Sequence, residues 1–147
     1  MAIHFYLKTH LVKVYRQHLG DYMLRWVIQH PLGTVRLHVT RRPDEDPDMH
    51  DHPWSFVSLL LWGTYDEERP AGTREVRWVN VCKADGLHRI VGLRRPSVVT
   101  LVFTGPRVRN WGFATKDGWV GWRDYVSSGS KVPDINEYAA AYEAKES

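Results

Sequence analysis

The chain carries a single cysteine, Cys82, so an internal disulfide framework is excluded and a reducing compartment is the natural reading. A small buried residue on a strand is the role expected of that thiol. Long hydrophobic runs are also lacking: Val57 to Trp62, broken by Ser58, is far too short to span a bilayer. The N-terminus lacks the basic, apolar, small-residue order of a signal peptide. These absences point to a cytoplasmic protein with no membrane partner. Gly-x-Ser-x-Gly, Cys-x-x-Cys and P-loop patterns are missing too, which removes the hydrolase-triad, zinc-finger and nucleoside-triphosphatase readings. No internal repeat or low-complexity segment breaks the chain.

What is present suits one folded unit. At 147 residues, 43% apolar and with seven Trp and seven Tyr, the chain can bury a core of its own. One domain over residues 1–147 is expected, with its core at about 22–126. The net charge of +3 is weak, and Arg41-Arg42, Arg94-Arg95, Arg107 and Arg109 supply part of it. Asp44, Glu45, Asp46, Asp48 and Asp51 interrupt the basic character, so a nucleic-acid surface is disfavoured and a small anionic molecule accounts for the arginines equally well.

Strand signals dominate. Met23 to Ile28 and Thr34 to Val39, separated by His30-Pro31-Leu32-Gly33, predict a hairpin over 22–41 in which Val35, Leu37 and Val39 share one face and Arg36 and His38 the other. Further strands are expected at 54–62, 64–69, 74–82, 87–92, 97–103, 107–114 and 118–122, with Gly105-Pro106 as a hairpin turn. Such spacing indicates an all-β sandwich or barrel. Residues 3–19 fit helix or strand equally. Asp134, with Glu137 three residues on, caps a short C-terminal helix at about 134–145, and Ser127 to Ser130 reads as the loop before it.

Against this background His50-Asp51-His52 stands out. Side chains two apart on an extended strand project to one face, which is a chelating arrangement for two imidazoles. His88, after the turn Ala84-Asp85-Gly86-Leu87, can complete a set of three nitrogens if its strand lies alongside. The alternative for His50 and His52 is a polar role capping the acidic loop. Tyr65, Arg107 and Arg109 are the other candidate site residues: the phenol as a hydrogen-bond donor toward a bound ligand, the arginines as a carboxylate or phosphate clamp. Each has a plain structural alternative, a core aromatic for Tyr65 and an exposed basic strand edge for the arginines. Trp54 is a candidate wall of the entrance, and His38 either joins the site or lies on the surface.

The pattern resembles the cupin superfamily. Its first motif, His-x-His followed by a glycine at the strand end, is matched by His50, His52 and Gly63, and its second, a turn followed by histidine, by Ala84 to His88. The resemblance spans about residues 35–114. A narrower similarity is to phage and actinobacterial cupin-like proteins with His50-Asp51-His52-Pro53-Trp54, Leu87-His88-Arg89-Ile90 and Thr104-Gly105-Pro106-Arg107 segments. The chain departs from the family pattern where a glutamate would fall, at Phe56 or Val57, and lacks the asparagine after the second-motif histidine. Either three histidines act alone, as in thiol dioxygenases of the superfamily, or a displaced carboxylate, Glu68 or Glu75, completes the site. Hairpin counting places Glu75 opposite His52. Glu67 and Glu68 otherwise read as solvated edge charges.

The resemblance implies an all-β, cupin-type double-stranded β-helix, a jelly-roll barrel holding a divalent transition metal, with Fe ahead of Ni, Mn, Cu or Zn. The expected function is metal-dependent oxygenation of a small anionic molecule through His50, His52 and His88. A metal-independent sugar isomerase or epimerase, and a non-catalytic binding or accessory module, are the alternatives. A homodimer is the oligomeric state the resemblance suggests.

Overall fold

The computed structural model describes residues 3–7 and 10–128, with side chains from residue 12 onward. Its strands are β1 (Ile3–Leu7), β2 (His10–Leu19), β3 (Met23–His30), β4 (Gly33–Thr40), β5 (Met49–His50), β6 (Phe56–Trp62) and β7 (Tyr65–Arg69). They continue as β8 (Gly72–Val76), β9 (Val79–Cys82), β10 (Arg89–Leu93), β11 (Val98–Thr104), β12 (Gly112–Thr115) and β13 (Gly118–Gly121), followed by one helix, α1 (Trp122–Ser127). The expected C-terminal helix at about 134–145 lies outside the described residues.

Antiparallel pairing assembles three sheets: one of seven strands in the order β1-β2-β3-β4-β11-β6-β9, and two of three strands, β10-β7-β8 and β13-β12-β5. The predicted hairpin is β3–β4, in register from Met23 opposite Thr40 to His30 opposite Gly33. Within the ambiguous segment 3–19, residues 3–7 and 10–19 resolve as strand, because β1 and β2 extend the same sheet by antiparallel pairing. Gly63 closes β6 at a φ of +73°, where a Cβ would meet the Ser97 carbonyl oxygen at 2.8 Å. Only glycine takes that turn without strain.

Several expectations need correction. Residues 74–82 form two strands, β8 and β9, interrupted at Arg77-Trp78, since β8 pairs with β7 while β9 pairs with β6 in another sheet. The strand expected at 107–114 begins only at Gly112, and Gly105-Pro106 turns no hairpin: β11 lies between β4 and β6, and the Gly105 N–H bonds the Ser55 carbonyl. Strand 118–122 stops at Gly121, and helix α1 takes Ser127 from the expected loop.

Two apolar clusters hold the layers together. Leu60, Tyr65, Val76 and Val98 pack with Ile90 and Leu93, and Phe113, Trp122 and Tyr125 pack with Trp111, Val120 and Val126. Full burial of one such aliphatic side chain is worth about 1.5–3 kcal/mol. Cys82 is buried as expected, its thiol pushed up to about 11 by burial.

The seven-stranded sheet inverts ordinary patterning. Its outer face exposes Trp26, Ile28, Val57, Val79, Val81 and Phe103. Its inner face places Arg25, His38 and Thr100 as direct neighbours on β3, β4 and β11, with Arg36 two residues along β4. Arg25 and Arg36 are buried. The polar face of β4 is therefore the inside one.

Candidate metal centre and its cavity

The inner faces enclose a cavity of about 250 Å³. The segment from His50 to His52 enters it held at both backbone edges. The His50 and His88 N–H groups donate reciprocally to each other's carbonyl at 3.0 Å, and the His52 N–H donates to the Ala84 carbonyl at 3.0 Å. This bridge brings the turn before His88 against the histidine pair.

Asp51, between the two histidines, faces away from them. Its 2% exposed carboxylate accepts from the Gly112 N–H at 2.7 Å, from Trp119 Nε1 at 2.9 Å and from the Arg109 guanidinium. Residues 50 and 52 are thereby fixed with their rings inward, as the two-residue period requires.

The structure brings His50, His52 and His88 together, with one ring nitrogen from each inside a 4.8 Å circle. Ring centroids lie 5.0–5.1 Å apart in all three pairs. Burial lowers His50 to about 4 and holds His52 well below the usual imidazole range, with the neighbouring rings, Arg36 and His38 adding to the effect on His52. Both rings are accordingly neutral at pH 7, the form that ligates metals. The rings fit a divalent transition metal by donor type and convergence.

His88 is oriented from behind. Its Nδ1 lies 2.7 Å from Glu67 Oε1, so the ring donates there and turns the Nε2 lone pair toward His52, whose Nε2 is 2.7 Å away. Glu67 is wholly buried and also receives Arg69 Nε at 2.7 Å, Arg74 Nε at 2.9 Å and Asn80 Nδ2 at 2.7 Å. Burial alone would raise this carboxyl, but the bonds from His88, Arg69 and Asn80 win and hold it well below the carboxylate range. A carboxylate behind a ligating histidine fixes its tautomer and raises its basicity.

Other sequence candidates fall elsewhere. Glu68 points to the opposite face of β7, where it pairs with Arg89 across the strands. Glu75 is opposite Asp66, not His52, and bonds Thr64 and Arg77. Among the described residues the metal-type cluster holds no carboxylate. The ring of Phe56, where the family glutamate was sought, lies 5.0 Å from that of His52. Glu68→Ala is expected to leave metal stoichiometry unchanged and to cost at most about 1 kcal/mol, as for partly exposed ion pairs, measured by elemental analysis and urea unfolding.

Arg107 is exposed and bonds Asn110, and Arg109 engages Asp51 and the Ala84 carbonyl, so neither lines the cavity. Tyr65 does line it, buried, its phenolic oxygen accepting from Asn80 Nδ2 at 2.9 Å. Trp54 lines the cavity beneath the Arg36 guanidinium, 4.2 Å from the ring centroid. Sequence reading missed Glu67, Arg25 and Arg36. For Glu67 a signal existed: it shares the inward parity of Tyr65 on β7, whereas Glu68 does not.

No family model matches the chain, and neither does any curated protein. Solved structures do. KdgF from Halomonas sp. is similar at a TM-score of 0.51 and 18% identity, over 63% of this chain and 89% of that one. AerE from Microcystis aeruginosa matches at a TM-score of 0.53 and 14% identity, over 69% of this chain and 52% of that one. A cupin-2 domain, Rru_A2000 from Rhodospirillum rubrum, matches at a TM-score of 0.51 and 10% identity, over 90% and 91% of the two chains. They bear on the fold, and nothing in them bears on the narrower resemblance to phage and actinobacterial proteins. With identities this low the likeness speaks for architecture alone, and the architecture of this chain is the cupin-type, antiparallel β fold.

Proposed function

We propose that this protein is a three-histidine metal-binding cupin that oxygenates a small anionic molecule in its barrel. The observation that carries the reading is the convergence of His50, His52 and His88 on the cavity, with the His88 ring anchored by Glu67. A redox-active divalent metal held by three neutral imidazoles supplies open coordination positions and chemistry toward dioxygen. The chain's own residues do the rest. Glu67 keeps His88 in the ligating tautomer, Phe56 and Trp111 exclude water beside the rings, and the cavity confines the substrate.

A second reading rests on the His52–His88–Glu67 relay, whose two ring-to-neighbour distances are both 2.7 Å. Such a chain can move a proton without metal, as an isomerase or epimerase requires. Elemental analysis of untagged protein, followed by dioxygen uptake with and without chelator, separates the two. About one equivalent of iron, nickel, copper or manganese, with uptake abolished by chelation, is the expected result. Protein purified free of metal that still turns over a sugar substrate after chelation would favour the relay.

A further inference from the structure

The wall of the cavity contributed by the seven-stranded sheet has no part in the histidine cluster, yet it is built from charge. Arg25 on β3 is in register with His38 on β4, and His38 with Thr100 on β11, so three polar side chains form one row across adjacent strands. Arg36 lies on the same face, one inward position along β4. All four line the cavity. Arg25 and Arg36 are 8% and 9% exposed, well below what guanidinium groups ordinarily show. Arg25 is braced by Nε donating to Gln17 Oε1 at 2.7 Å, and Arg36 by stacking on Trp54. Both contacts fix orientation, and both guanidinium groups line the cavity.

His38 sharpens the picture. Its Nε2 is buried and has no hydrogen-bond partner, an uncommon condition for a polar atom in a folded interior. Burial, and then the charges of Arg25 and Arg36, hold the ring well below the usual imidazole range, so it is neutral and can donate from one nitrogen. Beyond this row Met23, Leu93 and Val98 give the cavity an apolar stretch, and Arg42, Asp44, Glu45 and Asp46 also line it. At about 250 Å³ it lies just under the small end of ligand clefts, roughly 300 Å³.

We propose that Arg25, Arg36 and His38 form the anion subsite of this cavity, binding the carboxylate of a small amphipathic monoanion. Its apolar body lies against Met23, Leu93 and Val98. Arg25 and Arg36 supply charge and forked donors, and His38 Nε2 and Thr100 supply directed hydrogen bonds. The subsite replaces the clamp expected of Arg107 and Arg109. It deepens the oxygenase reading by naming the substrate class and the group that anchors it, and it rests on that reading for its function but not for its binding.

The test uses the full chain stripped of metal, titrated calorimetrically with hexanoate and with the neutral isostere hexanamide. Hexanoate is expected to bind at least about 10-fold more tightly, and Arg36→Met and Arg25→Met each to erase that preference. In parallel, hexanoate is expected to shift the ¹⁵N resonance of the His38 ring in the unaltered protein, a readout that holds even if a variant fails to fold. Equal binding of the two probes, absence of binding, or a preference kept in both folded variants overturns the subsite. Because metal is removed, the two readings fail separately. Carboxylate selectivity in a protein that never binds metal would sink only the oxygenase, and a metal-loaded protein blind to carboxylate would sink only the subsite.

Discussion

The His50→Ala/His52→Ala double variant is expected to purify with no transition metal where the unaltered protein holds about one equivalent, a difference read directly by elemental analysis. The two rings are adjacent donors on one face of a short segment, and they are two of the three imidazoles of the cluster. With both gone a single imidazole remains, too few donors to hold a divalent ion against water. The fold should survive, because the backbone bonds of residues 50 and 52 and the Asp51 anchor do not involve the lost rings. Full stoichiometry in the variant would falsify the site.

The same variant makes a pH prediction. Burial depresses His50 from 6.5 to about 4, so between those values the unfolded chain takes up a proton that the folded one refuses. The His50 contribution therefore lowers stability as pH drops from about 6.5 toward 4 and lowers it no further below. In the metal-free state the variant lacks this penalty. Its Tm should decline less steeply than that of the unaltered protein across that window in calorimetry.

Glu67→Gln is expected to weaken metal binding 10–100-fold and to lower stability by about 3 kcal/mol, measured by competitive chelator titration and urea unfolding. Four side chains converge on this carboxylate: His88, Arg69, Arg74 and Asn80. The amide keeps the shape but removes the charge and turns a donor toward groups that are themselves donors. Removing one member of a buried ion pair costs about 3–5 kcal/mol. The lower end applies because the Arg69 and Arg74 side chains are 26% and 48% exposed and regain water. The carboxylate's contribution is present above the ordinary carboxylate range and disappears as pH falls below it, since the folded state holds the group ionised. Unchanged metal affinity in a folded Glu67→Gln protein would show that His88 needs no support from behind.

Much of this was legible where a short-range rule applies. The period of two put His50 and His52 on one face, and the β3–β4 hairpin and the Gly63 turn followed from composition. Reading failed where partners come from afar. A fully buried glutamate looks like an edge charge until Arg69, Arg74 and Asn80 are seen around it, from β7, β8 and β9. On β4 the split between Val35, Leu37 and Val39 and the polar Arg36 and His38 was correct, but hydrophobicity gives the wrong sense of inside and outside for a barrel with a polar interior. The arginines expected to clamp a substrate, Arg107 and Arg109, bond Asn110 and Asp51 instead. Arg25 and Arg36, in the cavity, come from strands that precede the motif.

The Asp51 anchor also sets a schedule. The three partners of its carboxylate lie 58 to 68 residues further along the chain, and His88 lies 36 residues beyond His52. During synthesis the histidine pair emerges long before anything that aims it. Long-range closures of this kind are late and slow compared with local contacts. The ligand set is therefore complete only once residues up to Trp119 have emerged and docked, and an ion arriving earlier meets a two-histidine stretch of nascent chain rather than a site. On the proposed metal-binding reading, loading follows folding and takes place in a barrel already closed.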